Sequence, residues 1–175
     1  MGKRQKAFTL IEVLVAITIL IVGIISGFVL VTRALYNVAV IKDRLTASFL
    51  AQEGIELTRQ IRDSNFLRIL NNEESADWKD GLADGSYTIE SKVDSEGSIE
   101  LVAIGEDQNR IFFYDKTLRI YNYDNNGELT TFNRKIKITT INDDEIRVES
   151  IMQWKTRTID FDLIVEDHLY NWMKL

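Results

Sequence analysis

The sequence predicts an α+β fold in which the outer half of one long N-terminal helix packs against an antiparallel β-sheet. Residues 8–31 form a 24-residue apolar stretch with a single charge, and helical periodicity continues from there to about residue 62. The remaining chain holds short runs rich in β-branched and aromatic residues, separated by Gly, Asn and Asp. A length of 175 residues suits one globular domain with one appendage.

The apolar stretch at residues 8–31 is the first predicted element. As a helix it would extend about 36 Å, which exceeds the roughly 30 Å of a bilayer's hydrocarbon core. Basic residues precede it, and the positive-inside rule then keeps the N-terminus cytoplasmic and places the chain after Arg33 outside. We therefore expect a single membrane pass, with membrane lipid as the first partner of this helix.

Glu12 is the only charged residue within this stretch. An unpaired carboxylate in hydrocarbon costs several kcal/mol, so Glu12 needs a positive partner. An α-amino group created by cleavage just before Phe8 would be such a partner. A plain membrane anchor or a secretory signal gives no reason for an acid at this position.

The sequence KRQKAFTLIEVLVAITIL, residues 3–20, resembles the leader and helix start of type IV prepilins and of type II secretion pseudopilins. The resemblance implies the pilin fold and cleavage by a prepilin peptidase after Ala7, followed by N-methylation of Phe8. It also implies that Glu12 pairs with the terminal amine of a neighbouring subunit. The leader charges that orient the chain would be Lys3, Arg4 and Lys6, and Thr9, Leu10 and Ile11 would complete the recognised segment.

Two features depart from the usual pattern of that family. Ala7 stands where glycine is common, although alanine is also small. The apolar helix has no proline, so Gly23 and Gly27 are its predicted weak points, each costing about 1 kcal/mol relative to alanine. Tight helix packing through a small-xxx-small pattern is an equal alternative for these two glycines.

The function implied by the resemblance is structural: a major or minor subunit of a type IV pilus or pilus-like filament. Its partners would be other pilin subunits, the prepilin peptidase and an inner-membrane assembly platform. It would reside first in the cytoplasmic membrane and then in a cell-surface pilus or a periplasmic pseudopilus. A type II secretion pseudopilin is the alternative, followed by a permanently anchored binding or sensor module that keeps residues 1–7.

Composition argues against several other functions. The formal charge of -6 disfavours nucleic acid as a partner, and the absence of cysteine excludes disulfides and thiolate sites. The single histidine, His168, leaves little material for a histidine metal cluster or a Ser-His-Asp triad, and we interpret it as a surface or packing residue. No enzyme activity, cofactor or metal is therefore predicted.

The chain after the apolar stretch divides into three predicted parts. The helix continuation covers residues 32–62, a connecting loop covers 63–85, and the sheet domain covers 86–175. They follow the predicted leader at residues 1–7 and the apolar helix at 8–31. The loop includes one possible short helical turn at residues 66–70, and seven β-rich runs follow it. Two apolar stripes run along the helix continuation: Ala34, Val38, Ile41, Leu45 and Phe49 form the first, and Leu50, Gly54, Leu57 and Ile61 form the second, which suits contact with a sheet.

Acidic and aromatic clusters in the sheet domain have ordinary structural interpretations. Residues 124–128 contain the residue types of a calcium loop, but their glycine is in the wrong position, and a hairpin turn is favoured. Residues 142–145 are likewise typical of a solvated turn. The aromatic residues between 112 and 123 are interpreted as core and cross-strand pairs, and Leu169, Tyr170 and Trp172 are expected to close the domain on the sheet.

Overall fold

The computed structural model describes residues 9–73, 75–92, 98–105, 108 and 110–173. The chain divides into two compact units, Met1–Lys42 and Asp43–Leu175. One long helix and an antiparallel sheet of seven strands are present among the described residues, which confirms the predicted α+β class. The elements are α1 (Leu10–Leu70), β1 (Gly85–Ser91), β2 (Ile99–Ile104), β3 (Ile111–Asp115), β4 (Ile120–Asn122), β5 (Glu128–Asn142), β6 (Glu145–Thr156) and β7 (Ile159–Tyr170).

Strand β5 organises the sheet. One of its edges pairs with β6, and β6 in turn pairs with β7. Its other edge is shared, because β3 pairs with its first half and β1 with its second half. The hairpin partners β2 and β4 then extend the sheet outward from β1 and β3. The core side chains of β5 and β6 alternate with exposed or half-buried ones, as expected for a sheet with one covered face.

Within the second unit, α1 contacts this sheet through one face that starts at Ala47. The two stripes predicted along the helix differ in burial. Val38, Ile41, Leu45 and Phe49 of the first stripe are all more than half exposed. The second stripe is the buried one: Leu50, Gly54 and Leu57 are buried, and Ile61 is half-buried against the core.

Gly54 marks the closest approach of α1 to the sheet. A Cβ atom built on Gly54 would lie 2.7 Å from Ile136 Cδ1, 3.0 Å from Arg134 Cδ and 3.0 Å from Ser150 Oγ. Thr58 Oγ1 donates a hydrogen bond of 2.9 Å to the Gly54 carbonyl, which satisfies its own hydroxyl in this dry contact. A side chain at position 54 would therefore require the neighbouring side chains of β5 and β6, or the helix itself, to shift.

Arg134 is a fully buried cation at the point where β5 passes from β3 to β1. Its guanidinium donates to the Leu50 carbonyl at 2.6 Å, to the Ile89 carbonyl, and to a Glu53 carboxylate oxygen at 3.0 Å. The same group lies 5.0 Å from the ring centroid of Phe112. Arg134 therefore ties α1, β1 and β3 together at a junction where the backbone ladder changes partner, and Glu53, with 44% of its side chain exposed, supplies the opposite charge.

The helix ends later than the sequence predicts. We expected the end near residue 62 and a loop from 63, but α1 continues to Leu70. The reason lies in two buried residues of its last turns: Phe66 joins the core, and Asn65 Nδ2 donates to the carbonyls of Trp78 and Asp80 at 3.2 and 2.8 Å. Residues 71–84 then return toward the start of β1 at Gly85.

The strand boundaries also differ in detail from the predicted runs. β4 holds only three residues because a turn occupies 116–119, where Arg119 has a φ of 59°. β7 begins at Ile159, after a turn containing Arg157, and it extends to Tyr170. Of the three residues expected to close the domain, Leu169 is buried, whereas the side chains of Tyr170 and Trp172 are at least half exposed.

Candidate functional site

The start of α1 is a helix N-cap built by Thr9. Its hydroxyl oxygen accepts the N–H of Glu12 at 3.3 Å, and its carbonyl accepts the N–H groups of Glu12 and Val13 at 3.1 and 3.3 Å. The sequence Thr-x-x-Glu with this hydrogen bond is the capping-box pattern, and it puts the Glu12 carboxylate beside the positive end of the helix dipole. The Glu12 side chain is exposed.

The apolar part of α1 has no partner among the described residues. Every side chain from Leu10 to Val31 is exposed, including Leu10 at 81% and Phe28 at 74%. Among the described residues, α1 is the one helix long and apolar enough to cross a membrane. A helix that is apolar on all sides is stable only inside a membrane or a packed assembly. The side chains of this segment therefore need contact with lipid or with other protein chains.

The hydroxyl side chains of this segment are already satisfied. Thr18, Ser26 and Thr32 each donate to the backbone carbonyl four residues earlier, at 2.8, 2.7 and 2.9 Å. Such hydroxyls can enter hydrocarbon at little cost, because their donors stay bonded within the helix. Glu12 is different: no described residue bonds to its carboxylate.

The structure does not test the roles predicted for several residues of the N-terminal segment. The two glycines are described, and α1 runs through Gly23 and Gly27 without a break. Beyond its chain neighbours and the adjacent backbone of α1, no described atom lies within 4 Å of a Cβ built at either glycine, so both the weak-point and the packing interpretations remain predictions. The residues predicted for processing and orientation, which lie outside the described residues, are Lys3, Arg4, Lys6, Ala7 and Phe8.

In the sheet domain, His168 lies between two carboxylates. Its Nδ1 is 2.6 Å from Glu145 Oε1, and its Nε2 is 3.3 Å from Glu166 Oε1. The hydrogen bond with Glu145 raises the pKa of His168 and lowers the pKa of Glu145. This cross-strand pairing was not apparent from the sequence, because Glu145 is 23 residues away and the register of β6 on β7 brings the two together.

The other polar and aromatic clusters have structural roles. No group of His, Asp and Glu residues within the described part of the chain could hold a metal ion. Phe112 stacks on Tyr123 with centroids 4.4 Å apart, and Tyr114 contacts its cross-strand neighbour Tyr121 at 5.0 Å. The aromatic run thus contributes core and cross-strand packing.

Comparison with known proteins identifies one motif. The family model described as the prokaryotic N-terminal methylation motif matches residues 2–28. This motif is the prepilin-type signal of type IV pilins and pseudopilins, which are structural subunits rather than enzymes. Searches of curated proteins and of solved structures give no match. The match includes Glu12 and the two glycines, and it confirms the family resemblance of the N-terminal segment.

Proposed function

We propose that this chain is a structural subunit, major or minor, of a type IV pilus or a pilus-like filament. The observation that carries the proposal is the methylation motif at residues 2–28 on a helix whose apolar surface is exposed throughout. In this proposal a prepilin peptidase cuts after Ala7, and Phe8 becomes the N-methylated first residue. The leader charges Lys3, Arg4 and Lys6 hold the uncut N-terminus on the cytoplasmic side.

Glu12 has a specific task in such a filament. Because the hydroxyls of the apolar segment bond to their own backbone, Glu12 is the group that still needs a partner. A charged side chain at the centre of a membrane-spanning helix costs about 2.5–3.5 kcal/mol on insertion scales, and this is an upper value for Glu12, which lies in the first turn of α1. The N-terminal amine of a neighbouring Phe8 carries the complementary charge, so pairing it with Glu12 removes both penalties and fixes the axial position of the incoming subunit.

The exposed apolar side chains are also compatible with assembly. Burial of apolar surface is worth about 25 cal/mol per Å², whether lipid or another helix provides the cover. An apolar helix can therefore leave the bilayer for a helix bundle at little net cost. In the proposed sequence of events the chain starts as a single-pass protein of the cytoplasmic membrane, meets an assembly platform there, and ends in a cell-surface or periplasmic filament.

The test is a substitution at Glu12 in the native cell. Glu12→Gln keeps the size and shape of the side chain but removes its charge, so we expect normal membrane insertion and loss of the subunit from sheared filaments. Thr18→Val is the matched control, because it alters a polar group of the same helix that is already satisfied, and it should assemble normally. Equal incorporation of Glu12→Gln and the wild type would refute the charge-pair role.

Processing is tested independently by intact mass and N-terminal peptide analysis of membrane and sheared fractions. We expect a product that begins at N-methylated Phe8. A product that keeps Met1 or Gly2 and stays in membranes would instead indicate a permanent anchor. Surface filaments would favour the pilus, whereas processed protein confined to the envelope together with a secretion defect on deletion would favour the pseudopilin alternative.

A further inference from the structure

The outer edge of β7 is an unpaired strand edge. β7 pairs with β6 over its whole length, and no described strand pairs with its other edge. A two-residue loop follows Thr156, so Thr156 and Ile159 are the hydrogen-bonded pair that closes the hairpin. Hydrogen-bonded and non-hydrogen-bonded pairs alternate along an antiparallel ladder, so this first pair determines which residues of β7 bond to β6. The bond from Asn171 N–H to the Asp144 carbonyl, at 2.9 Å, continues the same alternation. The backbone groups that point away from β6 therefore belong to Asp160, Asp162, Ile164, Glu166, His168 and Tyr170.

A groove runs beside this edge, on the face of the sheet that α1 covers. Gln52 and Glu56 of α1 form one wall, and Val165 and Asp167 of β7 form the other. Arg59 connects the two walls by ion pairs of 2.7 Å to Glu56 and to Asp167. Among the side chains of β7 that face this side, Leu163 and Val165 are only half-buried, whereas Leu169 is buried. A strand added to the edge would cover them and point every second side chain toward the groove.

The opposite face of β7 is acidic along the same edge. Asp160, Asp162 and Glu166 are all exposed. Asp160 has a weak ion pair of 3.6 Å with Lys155, and Glu166 has its contact with His168, whereas no described residue bonds to the Asp162 carboxylate. An added strand would place the side chains on its own face opposite α1 directly beside this row. Opposite charges at such cross-strand positions stabilise a pair and like charges destabilise it, so the row selects basic residues.

The same charges disfavour pairing of β7 with a second copy of itself. In an antiparallel pair centred on Ile164, Asp162 would oppose Glu166 twice. Centring the pair on Asp162 or on Glu166 would place two identical carboxylates opposite each other. Acidic residues on an edge strand are a known means of preventing self-association. Like charges oppose self-pairing in these three registers, so the acidic row favours a different, basic strand as the occupant.

We propose that the β7 edge and the adjoining α1–β7 groove bind an extended polypeptide segment of another protein by strand addition. The bound segment alternates basic side chains, which face the acidic row, with apolar ones, which cover half-buried side chains such as Leu163 and Val165 on the α1 side of β7. Backbone hydrogen bonds provide affinity in this mode of recognition, and the alternate side-chain positions provide specificity. The inference is independent of filament assembly, because it uses only residues of the second unit.

The probe is a fluorescent nine-residue peptide of alternating Lys and Val, titrated against the full chain in a neutral detergent and followed by anisotropy. We expect saturable binding, and much weaker binding of the matching Glu-Val peptide. Absence of saturable binding of the Lys-Val peptide, or equal binding of the Glu-Val peptide, would overturn the proposal.

Substitutions at one position separate strand addition from simple charge attraction. Ile164→Pro removes an outward N–H without touching the β6 ladder, and it should weaken binding about tenfold, which corresponds to one lost hydrogen bond. Ile164→Thr changes the side chain but keeps the N–H, and it should bind like the wild type. Asp162→Lys should weaken binding roughly threefold or more, whereas Asp124→Lys, the same change on an exposed residue elsewhere, should leave it within about twofold.

Hydrogen exchange on the wild type gives a readout that does not depend on how the variants fold. Peptide binding should slow exchange of the outward amides of Asp162, Ile164 and Glu166, while the amides of Leu163 and Val165, already bonded to β6, should change little. Unchanged exchange at the three outward amides in the presence of saturating peptide would refute strand addition, and so would an Ile164→Pro variant that folds and binds normally.

Discussion

Gly54→Ala tests the contact on which the helix–sheet packing depends. Alanine is favoured over glycine in a helix by about 1 kcal/mol, so on an open helix surface this change would stabilise the protein. At position 54 the new Cβ would lie 2.7 Å from Ile136 Cδ1 and 3.0 Å from Ser150 Oγ, whereas carbon contacts are normally about 3.5–4.0 Å. Ile136 and Ser150 are both completely buried, so neither can move into solvent.

The expected net effect follows from these opposing contributions. Overpacking of a dense core costs about 1–3 kcal/mol, which outweighs the gain in helix propensity. We therefore expect Gly54→Ala to lower the free energy of unfolding by about 1 kcal/mol and Gly54→Val by about 3 kcal/mol. The change in the free energy of unfolding is measured by urea unfolding of the full chain in mild detergent, followed by the fluorescence of the buried Trp78 and Trp154.

A double-mutant cycle identifies the limiting neighbour. Ile136→Val removes only the Cδ1 atom that the new Cβ would meet, at a cost of about 0.5–1.5 kcal/mol by itself. Combined with Gly54→Ala, it should cost less than the sum of the two single changes, because the shortest of the three close contacts is gone. Stabilisation by Gly54→Ala alone, or additivity in the cycle, would show that the helix does not approach the sheet as closely as the structure indicates.

Two further predictions concern charged groups of the sheet domain. Arg134→Met should lower the free energy of unfolding by about 1–3 kcal/mol in the same urea assay, because the Ile89 carbonyl loses this donor and the Leu50 carbonyl keeps only its helical one. Arg134→Lys should recover only part of this loss. Because the pKa of His168 is raised by Glu145 and that of Glu145 is lowered, the pair should stabilise the fold most between the unfolded-state values of 4.5 and 6.5. Thermal melts should show that this contribution is lost as pH rises through the raised pKa of His168 or falls through the lowered pKa of Glu145. His168→Gln should abolish the loss of stability on the alkaline side. An unchanged pH profile in that variant would contradict the pairing.

The sequence predicted the fold class because the governing patterns are local. A stripe of Leu50, Gly54 and Leu57 at helical spacing identified the helix face that the sheet covers. It could not indicate that Gly54 is needed for its lack of a Cβ, since that depends on atoms of β5 and β6 brought close only by the tertiary fold. The helix end was misplaced for a similar reason: Asn65 extends the helix through bonds to carbonyls 13 and 15 residues further on.

Contacts set by strand register were also beyond the sequence. Arg134 has the sequence appearance of an exposed strand residue, yet it is buried where the hairpins β1–β2 and β3–β4 share one edge of β5 and α1 covers the junction. The neighbours of His168 likewise follow from the pairing of β6 with β7. By contrast, the need of Glu12 for a partner could be inferred directly, because an acid in an apolar stretch is anomalous in any fold.

The two surfaces proposed to bind partners differ in chemistry, and this keeps their tests separate. The backbone donors and acceptors of the apolar helix are already used within the helix, so only its side chains and Glu12 can contact a neighbour. The β7 edge offers free backbone groups beside a row of carboxylates. Exposed charge pairs weaken with ionic strength, whereas apolar burial does not, so raising salt should release a basic strand from β7 while leaving helix packing intact. Release of the peptide at high salt therefore does not count against helix assembly, and filaments that persist at high salt do not count against the β7 edge.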